Sequence, residues 1–252
     1  GRGARTAGRC ADFYERAGYE VARTASANWY KASFGVYRSL PDARLIDPDE
    51  DEIRQLLVSR RLLAVHFARR REPGVAISSY CMRDKHYGDA STHRTFQQSV
   101  ARGRTACEVL EISFDDLCRL GTEVNADVRS RRPWVDPHLL DPRLWRRFCD
   151  AGKESPGAVV FACFVDGSMA SWMSGLVEDR TCYGLNMMSR GDRWSLRPNN
   201  LLYFEFTRSM LSRDDVDCVN TGLESIPAVG AIDRFKRYAG YAKEPCYFAT
   251  VL

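Results

Sequence analysis

The sequence predicts an α/β fold, α+β in the order of its elements, with an antiparallel meander at its centre. Three observations lead there. The hydrophobic period switches repeatedly between that of a strand and that of a helix. Two apolar runs meet at Asp166-Gly167, the strongest short hairpin signal. Helix caps stand at Ser113, with Asp116 at capping-box spacing, and at Asp141, with Pro142 in the first helical position.

In chain order, "NWYKASFGVY" (28–37) reads as a strand and 47–59 as a helix opened by Asp47-Pro48. "RLLAVHFAR" (61–69) and "VAISSYCM" (75–82) read as two further strands, and "ACEVLEIS" (106–113) has high β propensity. Behind the Ser113 cap, Leu117, Leu120, Val124 and Val128 recur at helical spacing. "DPRLWRRFCDAG" (141–152) is a second helix, with Gly152 as its stop. "GAVVFACFV", "SMASWMSGLV" and "TCYGLNMMS" then form the meander, and a knuckle of Arg197, Pro198, Asn199 and Asn200 follows. From Asn199 the period is helical, with Leu202, Phe206, Met210 and Leu211 on one face of an amphipathic helix. "VDCVNTG" is a strand, "AIDRFKRYAGY" a helix stopped near Gly240, and "PCYFATVL" a closing strand.

With 252 residues, 44 % of them apolar and 11 % aromatic, the chain is long enough to bury a large core as one generous domain or a domain and a half. No apolar run reaches the roughly 18 residues of a membrane span, and "GRGARTAGRC" has no secretory apolar stretch, so a cytoplasmic location is expected. Nine cysteines stand singly with no CxxC, and none of the four histidines lies at i, i+4 from another; neither a disulfide framework nor a metal site is expected. Net charge is +4, but arginines cluster at 60–61, at 69–71, at Arg129, Arg131 and Arg132, and at 146–147. A guanidinium fork matches phosphate oxygens, and solvated helix faces carry such clusters too.

The element order from residue 106, with Pro198-Asn199-Asn200 at a helix mouth and Phe235-Lys236 shortly before Gly240-Tyr241, resembles the GNAT acyltransferase superfamily, in particular its FemAB-like branch, over about residues 94 to 252. The resemblance implies a GNAT-like mixed, mostly antiparallel central sheet flanked by helices, forming an acyltransferase domain over 94–252. Members of that branch often carry a second, degenerate copy of the fold. Residues 1–93 are therefore expected to form a partial GNAT-like N-terminal subdomain, β-rich, although a plain β-rich extension fits equally.

In GNAT-type folds the donor lies where the strand before the central helix splays from the strand after it, an opening that exposes backbone groups. The first turn of that helix offers free N–H donors and a positive dipole end. Here Pro198 fixes the approach, Asn199 or Asn200 is expected to cap the helix, and Arg190, Arg193 and Arg197 add charge for a pyrophosphate or a nucleotide backbone. A plain cap with basic neighbours is the alternative. The glycine-rich RxxGxG/A loop of many acetyl-CoA-dependent relatives is reduced to Gly191. By resemblance, backbone amides from Leu185 to Met187 would hold the acyl carbonyl, with Tyr183 on the same strand. Glu224, just beyond the next strand, is the candidate general base, Tyr238 or Tyr241 the acid for a leaving group, and Lys236 a contact for phosphate or the donor's carbonyl. Each also has a structural reading: loop cap, core aromatic, snorkelling lysine.

The function implied is N-acyl transfer from an activated donor to an amine-bearing acceptor, with acyl-CoA favoured as donor substrate and no metal. Two alternatives stand beside it: an aminoacyl-tRNA-dependent, peptide-bond-forming transferase, for which tRNA would be the partner and the arginine clusters its contacts, and a non-catalytic binding module on the same fold.

Overall fold

The structure, a computed structural model, describes residues 8–131, 136–226 and 230–252. Arg132 of the third arginine cluster and the loop at 227–229, where Glu224 was expected to cap a helix, lie outside them. The first helix, α1 (Arg9–Ala17), was not anticipated; it starts at Gly8 without a side-chain cap and stops at Gly18, φ 100°. The short strand β1 (Val21–Arg23) follows. The strand expected over 28–37 is instead a hairpin of β2 (Asn28–Ser33) and β3 (Val36–Leu40), because Gly35, at φ 68°, reverses the chain. The next helix, α2 (Glu50–Arg60), opens at Asp49, whose carboxylate accepts from Asp51 N–H at 2.9 Å; Asp47, two residues earlier, pairs with Arg69. Then come β4 (Ala64–Arg69), β5 (Val75–Met82) and an unanticipated helix, α3 (Arg94–Ala106), capped by the imidazole of His93.

From here the expected order is observed: β6 (Glu108–Glu111), α4 (Phe114–Arg131), α5 (Pro142–Glu154), β7 (Ala158–Val165), β8 (Ser168–Glu178), β9 (Thr181–Ser189), α6 (Pro198–Leu211), β10 (Cys218–Leu223), α7 (Gly230–Tyr238) and β11 (Ala242–Val251). Asp141 caps α5 through Arg143 and Leu144 N–H, and Ser113 Oγ accepts from Asp116 N–H at 3.0 Å. At the β7–β8 turn Asp166 and Gly167 both have positive φ, as a two-residue hairpin of this twist requires. Gly152 does not stop α5, which runs two residues further; it leaves room for the Phe114 ring, which a Cβ there would meet at 2.2 Å.

Among the described residues all the strands join one sheet in the order β1-β2-β3-β4-β11-β5-β10-β9-β8-β7-β6. Every pairing is antiparallel except β3 with β4 and β9 with β10, each a parallel pair bridged by one helix. The pattern is symmetric about the β11/β5 pair. On each side one strand contributed by the distant part of the chain is followed by a parallel pair and then by antiparallel strands. The C-terminal strand thus sits among N-terminal strands, while β5 sits against β10. The first helix joins the exchange by packing on α5, with Phe13 against Phe148 at 5.2 Å between ring centres.

The central helix α6 does not confine its apolar residues to the one face expected of an amphipathic helix. It is buried on both sides, with Leu201, Tyr203, Phe204 and Phe206 all under 4 % exposed. Phe206 meets Phe161 of the sheet edge-on at 5.5 Å, while Gly103 of α3 lets Leu201 approach from the other side. A helix roofed in this way must carry apolar residues on both faces, and its charged Glu205 and Arg208 pair with each other at 2.5 Å. Its seat on the sheet depends on Gly175 of β8, where a Cβ would lie 2.7 Å from the Phe206 ring and 3.0 Å from Cys182 Sγ. Gly175→Ala should therefore cost about 1–3 kcal/mol of stability by overpacking, read as a lower urea midpoint with an unchanged denaturant slope.

Candidate active site

The parallel strands β9 and β10 pair over only three positions, Thr181↔Cys218, Cys182↔Val219 and Tyr183↔Asn220, and then part. Both strands are irregular where they part. On β9 the ladder with β8 jumps from Gly175↔Gly184 to Ser174↔Asn186, which leaves Leu185 as the extra, unpaired residue of a bulge. On β10 the register with β5 shifts between Asn220 and Leu223, and Gly222 takes φ 94°. Asn220 fixes this kink: its Oδ1 accepts from Gly222 N–H at 2.8 Å, and its Nδ2 donates to Ser79 Oγ at 2.9 Å. The divergence is thus built by a bulge, a left-handed glycine and one buried amide.

A cavity of about 670 Å³ opens at this divergence. Tyr183 and Leu185 of β9, Glu224 beyond β10 and Lys236 of α7 all line it, so the structure brings together four residues singled out from the sequence. Lys236 Nζ donates to the Leu223 carbonyl at 3.2 Å and lies 4.8 Å from the centre of the Tyr80 ring. Burial lowers its pKa to about 8, against the pull of Asp233 and Glu224. Burial raises the Tyr183 phenol to about 12. The Glu224 carboxylate is bound by Lys243 at 2.6 Å, which holds it below the usual carboxylate range, so it carries charge into the cavity but is a weak base.

The opposite wall comes from residues that the sequence did not mark. Arg38 of β3, Asp42 in the loop after it and His66 of β4 line the same cavity, beside the other parallel pair. Crowding by protein pushes Asp42 up to about 6, with Arg38 and Tyr30 opposing, although the side chain keeps 41 % of its surface open. Burial and the nearby Arg38 both lower His66, whose Nδ1 is buried without a hydrogen-bond partner. The 42–44 loop is tied to the meander by Arg44, which reaches the buried Glu178 at 2.9 Å. No local motif announces these residues, because only the strand exchange carries them to the cavity.

The knuckle faces a second, smaller cavity of about 220 Å³, lined by Asn186 and Met187 beyond the bulge, by Arg131 and Trp194, and by Asn199. The expected asparagine cap is not formed. Arg197, at φ 62°, is the N-cap residue, and Pro198 is the first helical residue, so Asn199 and Asn200 already lie inside the helix. Their position leaves the first-turn amides without a side-chain cap, and Asn199 Oδ1 is buried with no partner. Arg131 stacks 4.6 Å over Trp194 and donates to the Ser189 carbonyl. Arg190 is paired with Asp192 at 2.9 Å, and Arg193 with the same carboxylate at 3.5 Å, so their charge is partly neutralised, while Arg197 is exposed. Neither cavity is lined by Tyr238, which stacks on His93 at 4.2 Å, or by Tyr241, which is 3 % exposed and hydrogen-bonded to Thr207 at 2.7 Å. Among the described residues no cluster of side chains suits a metal ion, and no helix is long and apolar enough to cross a membrane.

No protein-family description and no curated protein matches the chain. Solved structures do. FemX aligns over 96 % of this chain and 91 % of its own at 9 % identity, with a TM-score of 0.63. L-PGS from Bacillus licheniformis covers 96 % and 86 % at 11 % identity and 0.61. A tandem GNAT protein from the clavulanic acid biosynthesis pathway covers 90 % and 78 % at 10 % identity and 0.51. The fold is the one these structures share. It is GNAT-like, a large and mostly antiparallel sheet flanked by helices, and the likeness spans both parts of the chain.

The buried lysine makes stability pH-dependent in a defined direction. Its folded-state pKa lies below that of the unfolded chain, so the fold pays for the ammonium below about pH 8 and is relieved of that cost as both states become neutral above about 10.4. Lys236→Met should raise the urea midpoint at pH 7, and the gain should shrink at pH 10.

Proposed function

We propose that the protein is an N-acyltransferase that moves an acyl group from an activated donor, acyl-CoA in the first instance, to an amine. The observation that carries this reading is the divergence of β9 and β10 around the Leu185 bulge, which frees backbone amides beside a cavity lined by acidic and basic side chains. A carbonyl laid on those amides would gain hydrogen bonds as its oxygen becomes an oxyanion, and enclosure strengthens them. The uncapped first turn of α6, with the exposed Arg197 beside it, suits the donor's phosphates. Lys236 reaches the cavity from the other side, as a contact for donor or phosphate. No metal takes part in this scheme, and the setting is cytoplasmic. Residues 1–93 act as a partial GNAT-like copy whose parallel pair β3/β4 supplies the far wall, and residues 94–252 as the transferase domain.

An aminoacyl-tRNA donor is the second reading. The alignment with FemX over nearly the whole of both chains favours it, as do the exposed arginines at 60–61 and 70–71. Calorimetry with acetyl-CoA, longer acyl-CoAs and charged tRNA separates the two. Acyl-CoA binding that weakens at least about tenfold in Arg197→Glu and in Asn199→Asp supports the thioester at the α6 mouth. Binding of charged tRNA alone moves the assignment to the second reading. Binding of neither leaves the fold as a non-catalytic module.

A further inference from the structure

Asp42 differs from Glu224, which lines the same central cavity, and from Glu178, which does not, in what occupies its oxygens. Glu224 is bound to Lys243, and Glu178 accepts from the Cys10 backbone N–H at 2.7 Å and from Arg44 at 2.9 Å. Asp42 has both of its neighbours on Oδ2: the Tyr30 hydroxyl at 3.3 Å, donating, and Arg38 at 3.9 Å. Its Oδ1 is buried with no donor. The open surface therefore belongs to the Oδ2 side, where the hydrogen bond from Tyr30 is long and Arg38 stands outside hydrogen-bond distance, so Oδ2 can still accept from a ligand. Asp42 lines the same cavity as Leu185, and that cavity lies between the two parallel pairs.

Resting on the acyltransferase reading, we propose that Asp42 is the proton acceptor of the reaction, and that the group it receives is the primary ammonium of the acceptor molecule. Oδ2, on the open side of the carboxylate, takes one proton from the ammonium, which frees the nitrogen lone pair to attack the acyl carbon at the bulge. The new C–N bond forms as the carbonyl π pair moves onto oxygen. Collapse of that intermediate re-forms the C=O bond and breaks the C–S bond, and the thiolate takes the second nitrogen proton to leave as a thiol. Asp42 then releases its proton to solvent. The titratable and charged groups facing Asp42 are Cys10 and Tyr14 of α1, Tyr19 just after it, Tyr30 of β2 and Arg38 of β3, with His66 of β4 lining the same cavity and Glu178 close behind Cys10. Of these, Arg38 and Tyr30 favour the charged carboxylate, while burial disfavours it and leaves it titrating near 6. This position suits a base working at neutral pH.

The test uses the full chain with acetyl-CoA and a panel of ethanolamine, glycine, lysine and spermidine, with amide product measured by mass spectrometry from pH 5 to 9. Wild type should give a rate that rises through about pH 6. Asp42→Asn should lower kcat/KM at least about 100-fold and abolish that limb, leave the acetyl-CoA dissociation constant unchanged by calorimetry, and be partly restored in Asp42→Glu. His66→Gln should keep the limb. Turnover by Asp42→Asn within about threefold of wild type with the same limb overturns the assignment, as does loss of the limb in His66→Gln alone. Acetyl-CoA binding without amide from any of the four amines overturns the acceptor class. Absence of both binding and amide formation overturns the acyltransferase reading itself, and this proposal with it.

Discussion

Two parallel strands bridged by one helix start side by side, because the right-handed crossover returns the second strand next to the first. Whether they stay paired is a separate matter. In β9 and β10 the ladder ends after Tyr183↔Asn220, since the next residues are committed elsewhere: Leu185 is spent in a bulge against β8, and Gly222 turns away under the grip of the Asn220 side chain. Backbone groups that would have satisfied each other are left facing a cavity. An unpaired buried amide is expensive, so the arrangement is stable only where packing elsewhere enforces it.

That packing is supplied by α6 and its roof. Phe206 sits in the space left by Gly175, and Gly103 allows α3 to close down on Leu201. Tyr203 adds a hydrogen bond from its hydroxyl to Thr221 at 2.6 Å, fixing the helix to the diverging part of β10. The helix, the bulge and the kinked strand thus form one mechanical unit, and the uncapped mouth of α6 is its polar end. The strand exchange extends the unit across the molecule, because β11 and β5 link the divergent pair to β3 and β4, whose loop carries Asp42 and Arg44.

Much of this arrangement was legible in the residues. The Asp-Gly turn, the Ser113 and Asp141 caps and the period changes located the meander, α4, α5 and β10 because those signals are local. The helix α3 was missed because its cap is a histidine, with His93 Nδ1 accepting from Thr95 N–H at 3.2 Å, and α1 because Gly8 offers no capping side chain. The 28–40 hairpin was missed because Phe34-Gly35 is not a standard turn pair. Strand exchange leaves no local mark, since β11 reads the same whether it joins its own neighbours or distant ones. For the same reason Lys236, Glu224, Tyr183 and Leu185 were found from the second half alone, while Arg38, Asp42 and His66 were not. The asparagine cap failed by one residue: Pro198, with φ already set, begins the helix ahead of Asn199.

A crystal structure with a non-hydrolysable acyl-CoA analogue tests the central claim most directly. The account predicts the acyl carbonyl on the backbone beside Leu185, between β9 and β10, and the diphosphate at the first-turn amides of α6. An analogue bound on another face, with the strands unchanged around an empty cleft, would contradict it.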